Sequence, residues 1–117
     1  METLMAPGSA VEADELATVE AEIRAVEPEF LADLERLVNT DCGSYTPAGV
    51  DEIGRFVAGF LESAGAAIET RPDPAGRLGA TVIGTWAGDR ATPGGPRLLL
   101  IGHMDTVFDP GTAAARP

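Results

Sequence analysis

The sequence contains no lysine; all eight of its basic residues are arginine. That excludes Schiff-base chemistry and a lysine general base. It has one cysteine, Cys42, and one histidine, His103. A lone cysteine excludes an intramolecular disulfide framework and suits a reducing compartment, so a cytoplasmic location is expected. A lone histidine cannot build a metal centre unaided, because a catalytic zinc takes about three protein ligands. Positive charge is also scarce: 19 acids against 8 arginines give a net charge of −11. A phosphate backbone or an anionic bilayer requires clustered cations, so neither nucleic acid nor membrane is an expected partner. The first ten residues have no basic n-region, and no apolar run is long enough to span a bilayer.

What is present suffices for one small domain, with 44% hydrophobic residues in a chain of 117. The acidity is concentrated at one end. Residues 1–35 carry ten acids and one arginine, a charge of −9, and residues 36–117 only −2. Residues 1–11, with Pro7, Gly8 and Ser9, read as a disordered leader. Beyond it Leu16, Val19, Ile23, Val26, Phe30, Leu34 and Leu37 recur at steps of three and four, which gives a helix one apolar stripe with its acids toward water. Pro28 interrupts that stripe and predicts either a kink near Glu27 or a fresh helix start. Residues 39–45 read as a loop. A second helix follows, with Thr46 as its cap, Pro47 in its first position, Val50, Ile53, Val57, Phe60 and Ala64 as its buried stripe, and Gly65 as its end.

The remainder predicts extended chain over residues 67–70, 78–86 and 97–102, joined by Gly- and Pro-rich linkers. Those linkers are too short for a parallel crossover, so consecutive strands pair antiparallel. Leu98, Leu99, Leu100 and Ile101 form an unbroken apolar run, the pattern of an interior strand covered on both faces. Little chain follows that run to supply the cover, so a larger domain continuing past residue 117 is expected.

The apolar run leads into Gly102-His103-Met104-Asp105-Thr106-Val107. Active sites of α/β sheets gather beyond the carboxyl ends of strands. In extended backbone residues 103 and 105 point to the same side, so the Asp105 carboxylate can fix the His103 tautomer and leave the other ring nitrogen for a metal. An ordinary hydrogen-bonded turn would use the same two residues. Elsewhere, Cys42 has no basic neighbour in sequence and reads as a small loop residue. Ser44 and Tyr45 read as loop packing or as a cap for the second helix, with the border of a cleft as the other reading. Trp86 reads as core or rim packing, and Asp73, Asp89 and Asp109 as turn residues without EF-hand spacing.

The stretch 98–107, LLLIGHMDTV, resembles the first metal-ligand motif of the M20 family of zinc metallopeptidases. The stretch 37–56, LVNTDCGSYTPAGVDEIGRF, resembles the glutamate carboxypeptidase branch of that family. The two motifs stand in the family's order, and the resemblance covers about residues 30–110. It implies a three-layer α/β zinc-peptidase catalytic domain with a mixed sheet, present over residues 12–117 as its N-terminal part, with two or three helices and about three strands. It further implies His103 as the first zinc ligand and Asp105 as the carboxylate that orients it, in a site completed by a second zinc and by ligands not found in this sequence. The implied activity is hydrolysis, by a metal-activated water, of an amide bond beside a C-terminal amino acid such as glutamate, in a small peptide or N-acyl amino acid. With one ligand and no general base, the 117-residue chain is expected to be inactive alone. The competing expectation is a non-catalytic acidic interaction module that docks a partner through its first helix and pairs its strand edge with another chain.

Overall fold

A computed structural model describes residues 13–88, 94, 95 and 97–116. The chain divides into two units, Met1–Glu35 and Arg36–Pro117. The leader read over residues 1–11 and the turn at Asp89 lie outside the described residues.

The described part of the first unit is helical. It belongs to α1, Ala13–Val38, which carries Asp14 and Glu15 in its first turn and Arg36 in its last, each complementing the helix dipole. Arg24 and Glu20, one turn apart, form an exposed ion pair at 2.7 Å. The fresh helix start at Pro28 does not occur. Pro28 lies inside one continuous helix, because a proline removes only the single N–H that would reach the carbonyl one turn back, while the turns on either side keep theirs. Of the apolar stripe, Leu16, Val19, Ile23, Val26 and Phe30 are all more than half exposed, while Leu37 packs against the core of the second unit.

The second unit is mixed α/β. After the last turn of α1 come α2 (Pro47–Ser63), β1 (Ala67–Arg71), β2 (Thr81–Thr85) and the one-turn α3 (Thr112–Ala115). Pro47 sits in the first turn of α2 as expected, but the Thr46 side chain makes no cap bond. The Thr46 carbonyl instead accepts the Gly49 and Val50 N–H groups at 3.1 and 3.2 Å. At the other end Gly65, with φ +86°, donates to Glu62 at 2.8 Å, and Ala66 donates to Leu61 at 3.0 Å. These two bonds make a Schellman termination, which glycine permits because it has no Cβ to strain in the left-handed region. The Trp86 indole donates to the Ala64 carbonyl at 2.8 Å, satisfying another acceptor at this helix end, so Trp86 is a half-exposed rim residue.

β1 and β2 pair antiparallel, from Ala67 opposite Thr85 to Arg71 opposite Thr81. The second strand is shorter than the expected 78–86. The Asp73 carboxylate gathers the N–H groups of Ala75, Arg77 and Leu78 into a turn, and the Ala80 N–H goes to Asp51 on α2 at 2.7 Å. Those groups are therefore withdrawn from a strand ladder. The third expected strand, 97–102, is not assigned: Leu98, Leu99, Leu100 and Ile101 are 78–87% exposed. The run satisfies the composition of an interior strand, yet among the described residues nothing pairs with it or covers it. Among the described residues the sheet is thus two-stranded and antiparallel.

The core of this unit is small. Cys42, Val50 and Ile53 are buried together, with Leu37, Val57 and Met104 packed against them. The α2 stripe is buried only through its first half, and Phe60 is 60% exposed. Ala64 is exposed as well. Cys42 is a core residue as well as a loop residue. Full burial of a side chain such as Ile53 contributes about 1.5–3 kcal/mol, so this cluster is a principal source of the unit's stability.

Candidate functional site

Extended backbone alternates its side chains, and residues 103–105 use that alternation. Met104 turns inward onto the core cluster and lies against Gly54 of α2. His103 and Asp105, flanking it, turn the other way. The chain is then fixed at Thr106 by a parallel bridge to Gly43: Thr106 N–H donates to the Cys42 carbonyl at 2.9 Å, and Ser44 N–H donates to the Thr106 carbonyl at 3.0 Å. Gly43 permits this approach, since a Cβ there would collide with the Phe108 carbonyl. Next to the bridge, the Asp41 carboxylate accepts the Gly111 and Ala113 N–H groups at 2.7 and 3.1 Å, which folds the segment after Phe108 back onto the loop. Those two backbone donors, Ala113 foremost, hold the Asp41 carboxyl below its ordinary value.

The sequence-predicted pair meets. His103 Nδ1 lies 2.9 Å from the Asp105 carbonyl and 3.2 Å from Asp105 Oδ1. Both neighbours are pure acceptors, so Nδ1 carries the proton and, in the neutral ring, Nε2 holds the lone pair. The His103 side chain is 83% exposed, which leaves Nε2 open. Asp105 Oδ2 accepts the Ser44 hydroxyl at 2.5 Å, and an ionised carboxylate makes such a bond charge-assisted. Ser44 is the principal cause that holds the Asp105 carboxyl below its ordinary value, and the His103 contact acts in the same direction. Ser44 therefore neither caps α2 nor merely fills a loop, and its role was not read from the sequence. The signal was nonetheless present: Ser44 lies in one of the two resembling stretches and Asp105 in the other.

A cleft of about 230 Å³ beside Thr106 is lined by Leu37, Asp41, Cys42, Phe108 and Arg116, among others, and includes neither His103 nor Asp105. Among the described residues no three His, Cys, Asp or Glu side chains lie close enough to hold a metal together. The donor set at hand fits one imidazole ligand and the carboxylate that orients it. No helix among the described residues is long and apolar enough to cross a membrane.

No family model matches the chain, and no solved structure matches it. Among curated proteins it is similar to carboxypeptidase G2 of Pseudomonas sp. (strain RS-16), 35% identical over 92 residues. The match takes in 78% of this chain and 21% of the relative, so the chain spans about a fifth of that protein's length. Added to the two motifs at 37–56 and 98–107, that similarity makes the chain a distant relative of carboxypeptidase G2 among the M20-like peptidases.

Proposed function

We propose that His103 is a zinc ligand through Nε2 and that Asp105 orients it, in an M20-type amidohydrolase that cleaves the bond beside a C-terminal amino acid such as glutamate. The supporting observation is the pairing itself: Nδ1 is committed to Asp105 at 3.2 Å, so the exposed Nε2 offers its lone pair. Zinc bound there supplies an activated water and polarises the amide carbonyl. Asp105 keeps the tautomer and raises the basicity of the ring. In this reading residues 12–117 form the N-terminal portion of a three-layer catalytic domain with a mixed sheet, in a cytoplasmic enzyme acting on small peptides or N-acyl amino acids. A catalytic zinc needs about three protein ligands, so the 117-residue chain binds zinc weakly and leaves N-acyl-glutamate intact.

The test is a zinc titration of the ¹⁵N-histidine-labelled chain followed by NMR. The expected result is a perturbation centred on Nε2, with no release of glutamate from N-acyl-glutamate. Perturbation of Nδ1 instead, or none at millimolar zinc, would refute the ligand assignment. Turnover lost in His103→Ala would refute the inactivity of the chain alone. A second reading, the acidic interaction module, is favoured by the exposure of Leu16, Val19, Ile23 and Phe30 on α1. It requires a defined complex or a metal-free monomer whose size is indifferent to changes at His103 and Asp105.

A further inference from the structure

His103 and Asp105 are near neighbours in sequence, but the group that fixes Asp105 comes from 61 positions earlier. The Asp105 carboxylate can rotate about its terminal torsion, and with the side chain 40% exposed, water competes for both oxygens. Oδ1 faces the imidazole only while Oδ2 is turned toward the 42–44 loop. Ser44 has one hydroxyl proton and two acceptors in reach, Asp105 Oδ2 at 2.5 Å and the Thr106 carbonyl at 3.3 Å. The shorter bond to the anion takes the proton. The Ser44 backbone cannot drift with the carboxylate, because its N–H is held by the Thr106 carbonyl while Thr106 N–H is held by Cys42. One serine is therefore bonded both to the residue after Asp105 and to its carboxylate.

We infer that Ser44 is a positioning residue: its hydroxyl holds the Asp105 carboxylate so that Oδ1 receives the His103 Nδ1 proton, which keeps Nε2 as the lone-pair nitrogen. The consequence for zinc rests on the ligand reading of His103 above; the consequence for the tautomer does not. Removing the hydroxyl leaves Oδ2 to water and lets the carboxylate turn, so Nδ1 keeps only the Asp105 carbonyl at 2.9 Å as a fixed acceptor and the Nδ1-protonated tautomer loses part of its preference.

The experiment reads the His103 ring nitrogens by ¹⁵N NMR in the metal-free chain. The unmodified protein is expected to show one tautomer. In Ser44→Ala the two nitrogen signals move toward each other as the tautomers exchange, and Ser44→Thr restores the original pair. On zinc titration the apparent dissociation constant rises roughly tenfold in Ser44→Ala and is restored in Ser44→Thr, the low end of the effect of losing a partner behind a ligand. The backbone amide signals of Ser44 and Thr106 report whether the bridge persists. Where Ser44→Ala disturbs them, Ser44→Cys, a weaker donor of similar volume, is read in its place with the same expectation. Ring-nitrogen signals unchanged by loss of the hydroxyl would overturn the positioning role. Zinc that fails to perturb Nε2 in the unmodified chain overturns the ligand reading instead, and the tautomer result, which needs no metal, still decides the role of Ser44.

Discussion

Replacing Ile53 by alanine tests whether the small cluster beneath the His103–Asp105 segment holds the second unit together. Ile53 is 7% exposed and is buried with Cys42 and Val50, while Leu37, Val57 and Met104 pack on the same cluster only partly buried. The change removes three carbon groups, which at about 0.8 kcal/mol each amounts to about 2.4 kcal/mol of transfer free energy. A cavity term adds to this, but neighbours at the edge of so shallow a core can move inward and shrink it. The loss should therefore fall in the lower half of the ~2–5 kcal/mol range for such changes, at about 2–3 kcal/mol. A unit with so few buried side chains has roughly 3–5 kcal/mol in total, so Ile53→Ala removes a large part of it. Ile53→Val deletes one group and should cost about 0.5–1.5 kcal/mol. Urea unfolding followed by Trp86 fluorescence measures both, since this single tryptophan is tied by its indole N–H to the end of α2 and senses loss of that packing. A loss below about 1 kcal/mol for Ile53→Ala, or equal losses for the two variants, would refute the assignment of Ile53 to the core.

Two neighbouring expectations concern pH and glycine. Asp41, held low by the Ala113 and Gly111 N–H groups, Asp73, held low by those of Arg77, Leu78 and Ala75, and Asp105, held low by the Ser44 hydroxyl, all release their protons more readily folded than unfolded. Their stabilisation is complete above the unfolded value of about 4 and is lost as pH falls through the lower folded values. The urea midpoint should stay flat from about pH 7 to 5 and drop below about 4. Asp41→Asn should make that drop shallower, and a midpoint that rises on acidification would contradict the assignment. Gly49 and Gly59 both lie in α2, where alanine is favoured over glycine by about 0.8–1 kcal/mol. A Cβ at Gly59 meets nothing within 4 Å, whereas one at Gly49 would run into the Asp41 carbonyl. Thermal unfolding should therefore show Gly59→Ala raising the midpoint and Gly49→Ala lowering it, and shifts of the same sign would show that the 39–46 loop is not seated on the first turn of α2.

The elements legible in the sequence are those whose causes are local. Val50, Ile53 and Val57 at helical spacing, Pro47 at the start of α2 and Gly65 at its end act within one or two turns, and α2 forms where they place it. Pro28 is the exception that measures the limit, because a lost hydrogen bond is a local cost that the turns on either side can absorb. Strand boundaries depend on where each N–H finds an acceptor. Ala80 finds Asp51 from 29 positions away, and Leu78 finds Asp73, so the apolar pattern over residues 78–80 could not announce that these groups leave the ladder. The run Leu98–Ile101 makes the same point from the other direction. An apolar composition states what surroundings a segment prefers, while its pairing requires a second segment that the pattern itself does not contain.

The site divides along the same line. His103 and Asp105 are two residues apart, and the alternation of extended backbone was enough to bring the imidazole to the carboxylate. Ser44 reaches Asp105 only because a parallel bridge places Gly43 beside Thr106, and that bridge depends on a bare backbone at Gly43 passing the Phe108 carbonyl. No periodicity encodes a contact across 61 positions. The two resembling stretches did carry it, one member of the pair in each, once they are read as two walls of a single site instead of two separate marks of ancestry. The loop between the helices accordingly reaches the His-x-Asp segment: it supplies the hydroxyl bonded to one oxygen of the carboxylate whose other oxygen lies against the ring.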